Sequence, residues 1–263
     1  MTSQDLHAAL AVELAFAHEL ADLADELTLA AFRTWVDVAT KGDGTPVTEV
    51  DQAVERALRA AIDDRFPGHA VLGEEDGHTG DLDVPTWVID PIDGTRSFIT
   101  GNPSYATLIA LCDADGERVG VVSAPALGLR WDGRRGGPAR CGDREIRVSD
   151  VDRLDRAQVT FGDLVSFDEI GRPDIIPALV AGTVRQRAYG DFHGFCLVAE
   201  GAMDVCAEAI ASRWDFAACK AVVEAAGGRF TTFDGRSTAD GGSGLATNGR
   251  LHDDVLAITS PRD

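Results

Sequence analysis

Lysine is almost absent: of the 24 basic residues in this chain of 263, only Lys41 and Lys220 are lysines. That scarcity reads as a composition bias and not as chemistry. Acidic residues number 44, so the net charge at pH 7 is −20. An excess of that size excludes nucleic acid as a general partner and disfavours a nuclease; salt adaptation is one possible source of the acidity. No apolar run approaches the ~18 residues of a membrane span, so no membrane partner is expected. The first residues, Met1 to Asp5, carry no basic stretch or apolar block, and no secretory leader is expected. Cys112, Cys141, Cys196, Cys206 and Cys219 show no CxxC spacing. The simplest reading is a reduced, cytoplasmic protein that uses cysteine as a small core residue. No Ser or Cys stands in a nucleophile motif, so any hydrolytic attack falls to water.

An apolar content of 44% supports a substantial core, in one large domain or two packed halves. The expected division is 1–150, carrying most of the candidate metal ligands, and 151–263, carrying Asp215 and the substrate side. Leu6, Leu10, Leu14, Ala17, Leu20 and Ala24 recur at spacings of three and four, which predicts a helix over about 4–35. Such a helix packs on its own domain or serves a coiled-coil partner. A loop, Lys41 to Pro46, and a helix over about 51–65 follow. Strands are expected at 70–72, 86–90, 105–112 and 119–123. The Gly- and Arg-rich stretch 131–144 predicts an exposed hairpin or mobile loop, before a strand-like 146–148. Beyond it, strands at 158–161, 185–188, 203–207 and 229–233 alternate with helices at 191–200 and 215–226. Periodicity alone gives a mixed α/β fold.

The most informative run is Trp87-Val88-Ile89-Asp90-Pro91-Ile92-Asp93-Gly94-Thr95. An apolar strand delivers two carboxylates onto a turn made by Pro91 and Gly94. Acids so close repel one another unless a cation lies between them. The N–H groups of Gly94 and Thr95, where a helix can start, offer a place for a phosphate. Acids beside an anion cradle point to metal-assisted phosphoryl chemistry. Gly73-Glu74-Glu75 follows another apolar strand, and Trp214-Asp215 opens a helix that Gly227-Gly228 stops. Asp215, like Asp51 at the second helix, is equally well placed to cap that helix.

These three pieces, in this order and spacing, resemble the inositol monophosphatase family of magnesium-dependent, lithium-sensitive phosphatases over nearly the whole chain. Arg187 to Phe192, Cys196 to Gly201, and Val121 to Leu127 look most like its bacterial histidinol-phosphatase branch. The resemblance implies a five-layered α-β-α-β-α sandwich with its site between the two halves. It implies two or three Mg²⁺ ions. Glu74, Asp90 and the Ile92 carbonyl hold the first, Asp90, Asp93 and Asp215 the second, and a weaker third lies near Glu74. Thr95 then binds the attacking water, Asp51 orients Thr95, and both help Glu74 take the proton. Gly94 and Thr95 hold the phosphate. Gly190, Asp191, Phe192 and Glu208 match positions that contact the organic part of the substrate, where Asp93 and Asp215 also border it. A homodimer is expected.

Asp191 and Glu208 suit a cation such as the amine of histidinol phosphate, or sugar hydroxyls. An N-cap and a surface acid are the bland alternatives. His193 nearby is assigned no catalytic role. Ser97 stands where relatives commonly have Asn, a departure that bears on substrate choice. Inositol phosphate, a sugar phosphate or a nucleotide are the competing substrates. A non-catalytic acidic scaffold is the competing class, but a scaffold has no need of Thr95.

Overall fold

The structure is a computed structural model that describes residues 3–42, 46–81 and 83–260. Its eight α-helices among those residues are α1 (Ser3–Ala31), α2 (Glu49–Arg65), α3 (Thr95–Ile99), α4 (Leu164–Glu169), α5 (Ile175–Gly182), α6 (Asp191–Ala199), α7 (Arg213–Ala225) and α8 (His252–Thr259). A two-stranded hairpin, β1 (Val38–Thr40) and β2 (Pro46–Thr48), links α1 to α2.

The larger sheet has eight strands: β3 (Ala70–Gly73), β4 (Gly77–Thr79), β5 (Thr86–Asp93), β6 (Ala106–Asp113), β7 (Gly116–Ala124), β8 (Leu129–Arg134), β9 (Ala139–Cys141) and β10 (Arg144–Ile146). Their spatial order is β10-β9-β8-β7-β6-β5-β3-β4. The smaller sheet holds β11 (Gln158–Phe161), β12 (Arg185–Arg187), β13 (Val205–Glu208), β14 (Arg229–Thr231) and β15 (Gly244–Thr247), in the order β12-β11-β13-β15-β14.

Three apolar clusters stack these elements into five layers. Leu10, Leu20, Val54 and Leu58 of α1 and α2 pack on Trp87, Ile89, Ile109 and Val121, one face of the large sheet. The alternate residues of those strands, Val88, Leu108, Ala110 and Val122, meet Phe195, Ala218 and Val222 of α6 and α7, which also pack on Cys206, Phe230 and Ala246 of the small sheet. Phe167, Leu179 and Val255 of α4, α5 and α8 cover its outer face. The result is the α-β-α-β-α sandwich that the resemblance implied. Alternation along strands sends successive side chains to opposite faces, so each sheet feeds two cores.

Several expectations change. The first helix ends at Ala31 and not near Trp35, because Arg33 takes a left-handed backbone (φ 61°) that a helix cannot continue. Trp35 is 91% exposed. Leu6 lies among side chains outside the description, as do Asp43, Gly44 and Thr45 of the expected loop. The α1 helix packs on α2, β6 and β7, which answers the coiled-coil alternative with its own fold. The stretch 131–144 is only partly an exposed hairpin: Trp131, Asp132 and Gly133 are buried in β8. A Cβ on Gly133 would lie 2.8 Å from Ala225 Cβ and 2.9 Å from Ala221 O, so its glycine lets α7 lie directly on the sheet.

Candidate active site

The acids converge because of one irregularity in β5. All eight residues of this strand are buried. Its pairing with β6 shifts register between Asp90, opposite Leu108, and Asp93, opposite Ala106. Such a bulge re-aims side chains. The Thr107 hydroxyl donates to the Pro91 carbonyl at 2.8 Å, and the Ile92 N–H donates to Asp90 Oδ1 at 2.9 Å, fixing the turn. Asp215 arrives from the first turn of α7. Its Oδ2 accepts the Ser212 N–H, so it caps its helix and still takes part in the cluster. Ligand oxygens of Asp90, Asp93 and Asp215 all lie within 4.8 Å of one another.

Among the described residues, no basic side chain forms an ion pair with this trio. Burial first, and then repulsion by Glu74, Asp93 and Asp215, hold the Asp90 carboxyl well above its ordinary range. Burial, then Asp191 and Asp215, do the same to Asp93. Asp215 is pushed up to about 7, chiefly by burial. A buried cluster of hard oxygen donors that resists ionisation fits a bound divalent cation, which would supply the missing charge.

Glu74 lies beside Asp90 at the end of β3. Lys41 Nζ bridges Glu74 Oε1 at 2.6 Å and Glu75 Oε1 at 2.7 Å. Burial disfavours its charge, but the hydrogen bonds to both acids outweigh that and raise its pKa. Scarce as lysine is, Lys41 is therefore a residue of the site, where composition alone suggests only a bias.

Thr48, and not Asp51, is the N-cap of α2; Asp51 stands at the third position of the capping box. Its Oδ2 accepts the Thr48 N–H at 2.9 Å and the Thr48 hydroxyl at 2.5 Å, closing the cap of α2. Its Oδ1 lies 3.5 Å from Thr95 Oγ1, which donates to the Ile92 carbonyl at 3.0 Å. Burial raises the pKa of Asp51. Gly94 is left-handed (φ 79°) and opens α3, whose first N–H groups lack partners within the helix.

A cavity of 110 Å³ adjoins the acids, lined by Asp93, Asp191, Phe195, Glu208, Ile210, Ala211, Asp215 and Phe216. Gly190, not Asp191, stands at the N-cap of α6. Asp191 follows with φ 51°, a strained backbone for a residue with a side chain. Phe192 is buried, and its N–H donates to Asp93 Oδ2 at 2.7 Å. Glu208 is buried too, so it is no surface acid; Oε2 has no partner, and burial followed by Asp191 and Asp215 pushes its pKa up to about 8. A Cβ on Gly162 would fall 2.0 Å from either Glu208 oxygen, a constraint that no local pattern announced. His193 stacks on Phe192 at 5.5 Å and touches Trp131 and Tyr189.

A layered α/β chain whose cleft gathers unneutralised acids beside a capped hydroxyl and a helix start defines a hydrolase for anionic esters. Comparison with known proteins is more particular. Residues 10–261 match the inositol monophosphatase family. The histidinol-phosphatase of Mycobacterium tuberculosis is 45% identical over 250 residues, covering 93% of this chain and 96% of that protein. The histidinol-phosphatase of Streptomyces coelicolor is 43% identical, covering 95% and 97%. Among solved structures, an inositol monophosphatase from Zymomonas mobilis superposes with a TM-score of 0.85 at 29% identity, covering 95% of this chain and 98% of that one. The chain belongs to the inositol monophosphatase family and is a phosphatase.

Proposed function

We propose that this phosphatase is a Mg²⁺-dependent phosphomonoesterase that converts histidinol phosphate to histidinol, with water as nucleophile. The observation that carries the reading is the meeting of Asp90, Asp93 and Asp215 within 4.8 Å, beside the Asp51–Thr95 contact. Acids for a cation and a hydroxyl for a water share one cleft.

Glu74, Asp90, Asp93, Asp215 and the carbonyl oxygen of Ile92 would hold two Mg²⁺ ions, with a weaker third near Glu74. Bound there, the ions would offset the charge of the phosphate and make a water acidic enough to attack near neutral pH. The chain's own groups do the rest. Asp51 Oδ2 is taken by Thr48, which leaves Oδ1 for the Thr95 hydroxyl. The Thr95 hydroxyl donates to the Ile92 carbonyl at 3.0 Å and has Asp51 Oδ1 at 3.5 Å. With the Ile92 carbonyl engaged as a cation ligand, that proton would turn to Asp51, and Thr95 Oγ1 would accept a hydrogen bond from the water and align it. Asp51 and Glu74 are the carboxylates that take the proton, and the raised pKa of Asp51 suits a base. The N–H groups of Gly94 and Thr95 hold the phosphate oxygens. Gly190 and Phe192 set the backbone around Asp191, which with Glu208 receives the ammonium of the leaving group through charge-assisted hydrogen bonds. The two relatives named histidinol-phosphatase support this choice of substrate.

Phosphate release should be measured with Mg²⁺ and with chelator, over histidinol phosphate, inositol phosphate, sugar phosphates and nucleotides. The expected result is the highest kcat/KM for histidinol phosphate and none in chelator. Full activity in excess chelator overturns the cation's role. Faster hydrolysis of another ester overturns the substrate and leaves the phosphatase standing.

A further inference from the structure

Glu74 serves the acid cluster only if the turn between β3 and β4 is held in place. We propose that Glu55 of α2 is the positioning residue that holds it, and that residue 73 is glycine because the Glu55 carboxylate fills the space a side chain would need. The proposal rests on the reading of Glu74 as a cation ligand.

Glu55 is fully buried, at 0% exposure. Its Oε2 accepts the N–H of Glu75 at 2.8 Å, and its Oε1 accepts the N–H of Asp76 at 2.9 Å. These are the two residues that follow Glu74. Arg59, one helical turn on, donates Nε to Glu55 Oε1 at 2.8 Å, and its terminal nitrogens reach Thr79 Oγ1 at 3.0 Å and the Gly77 carbonyl at 2.5 Å. The turn and the β4 strand that follows it are thus tied to α2. Lys41 pairs with the side chains of Glu74 and Glu75; Glu55 grips the backbone.

A carboxylate that accepts two backbone N–H groups organises a turn as a cap organises a helix start. Glutamine keeps the shape but offers a single acceptor oxygen, and its NH₂ then faces an N–H donor. The glycine follows from the same geometry. A Cβ at position 73 would lie 2.2 Å from Glu55 Oε1 and 2.4 Å from Cδ. A free glutamate would swing aside, but this one is pinned by two amides and a guanidinium. Relief therefore means releasing the turn that carries Glu74.

The test is calorimetric titration of Mg²⁺ into the metal-free protein, with Tm and steady-state kinetics alongside. Glu55→Gln should weaken Mg²⁺ binding by about ten- to a hundredfold, the usual effect of removing a partner that orients a ligand, and should lower kcat more than it raises KM. Ile62→Ala, a buried apolar truncation on the same helix, should lower Tm without moving Mg²⁺ affinity. Gly73→Ala should weaken Mg²⁺ like Glu55→Gln, yet add almost nothing to Glu55→Ala, where the clash is gone. Wild-type Mg²⁺ affinity in Glu55→Gln, with Glu74→Gln weakened, overturns the clamp and leaves the ligand reading intact. Equal weakening by Ile62→Ala at the same Tm loss overturns it as general destabilisation. Independent, additive effects of Gly73→Ala and Glu55→Ala overturn the account of the glycine. Wild-type affinity in Glu74→Gln removes the ligand assignment and the proposal together.

Discussion

Stripped of cations, the protein should lose stability as the pH rises from about 4 to about 8, and Mg²⁺ should restore it. The folded Asp215 carboxyl, chiefly through burial, keeps its proton up to about pH 7, against an ordinary value of 3.8. Between those values the folded state binds more protons than the unfolded chain, so stability falls with rising pH. Each pH unit of that window is worth ~1.4 kcal/mol, so ionising Asp215 in the cation-free fold costs roughly 4 kcal/mol. Glu208, pushed up to about 8, adds a loss of the same sign that extends to higher pH. The two acids repel one another, so their costs are shared and do not simply add. In a chain of this size ~1 kcal/mol moves Tm by about 2–4 °C, which gives a fall of roughly 10 °C across the range. Thermal unfolding followed by circular dichroism in chelator measures it. With saturating Mg²⁺ the curve should lie higher and flatter, because the ion binds the folded, ionised acids. Asp90→Asn should flatten the cation-free curve by removing a carboxyl that burial itself holds well above its ordinary range. A cation-free Tm that stays constant or rises over this range refutes the reading of these acids as an uncompensated cluster.

Asp90→Asn should also lower turnover by at least ~10²-fold at saturating substrate, as loss of a charged ligand predicts; near wild-type kcat would show that Asp90 is not a ligand. Thr95→Ala should reduce kcat more than it alters KM, since the hydroxyl serves the water and not the bound ester; a raised KM with unchanged kcat would reassign it to substrate binding. Asp191→Asn should weaken histidinol phosphate by roughly ten- to a hundredfold through loss of a charge-assisted bond, while sparing nitrophenyl phosphate. Equal damage to both esters would make Asp191 a structural residue.

The acid-bearing strands were legible because their signals are local. An apolar run that ends in Asp90-Pro91-Ile92-Asp93-Gly94 announces a buried strand and a turn whatever packs around it. The first helix was legible as a helix but not in length, since the left-handed Arg33 leaves no compositional mark. The stretch 131–144 misleads because its many glycines and arginines and few apolar residues suggest a loop. Gly133 is instead a place where α7 presses on the sheet, and the helix that presses is 80 residues away in the chain. The helices α4, α5 and α8 and the strand β15 are short and lie among polar loops, where periodicity has little to count.

The same contrast separates the parts of the site. Asp90, Asp93, Asp215 and Thr95 stand in short patterns that carry their own chemistry. Glu55 does not, because its partners are backbone amides, which every residue possesses. Its one signal is positional: Asp51, Glu55, Leu58 and Ile62 share a helical stripe by spacing, and all are buried. An acid inside an apolar stripe must find hydrogen bonds or cost the fold heavily. Two such acids on one helix face, Asp51 and Glu55, therefore mark the side from which α2 supports the site. Glycine completes the argument. Gly73 and Gly162 both sit where a Cβ would strike a buried carboxylate, Glu55 in one case and Glu208 in the other. Neither has the positive φ that turns demand of glycine, so the requirement comes from the acid and not from the backbone. Gly73 and Gly162, unlike the left-handed Gly94, are each the imprint of a carboxylate that arrives from elsewhere in the chain.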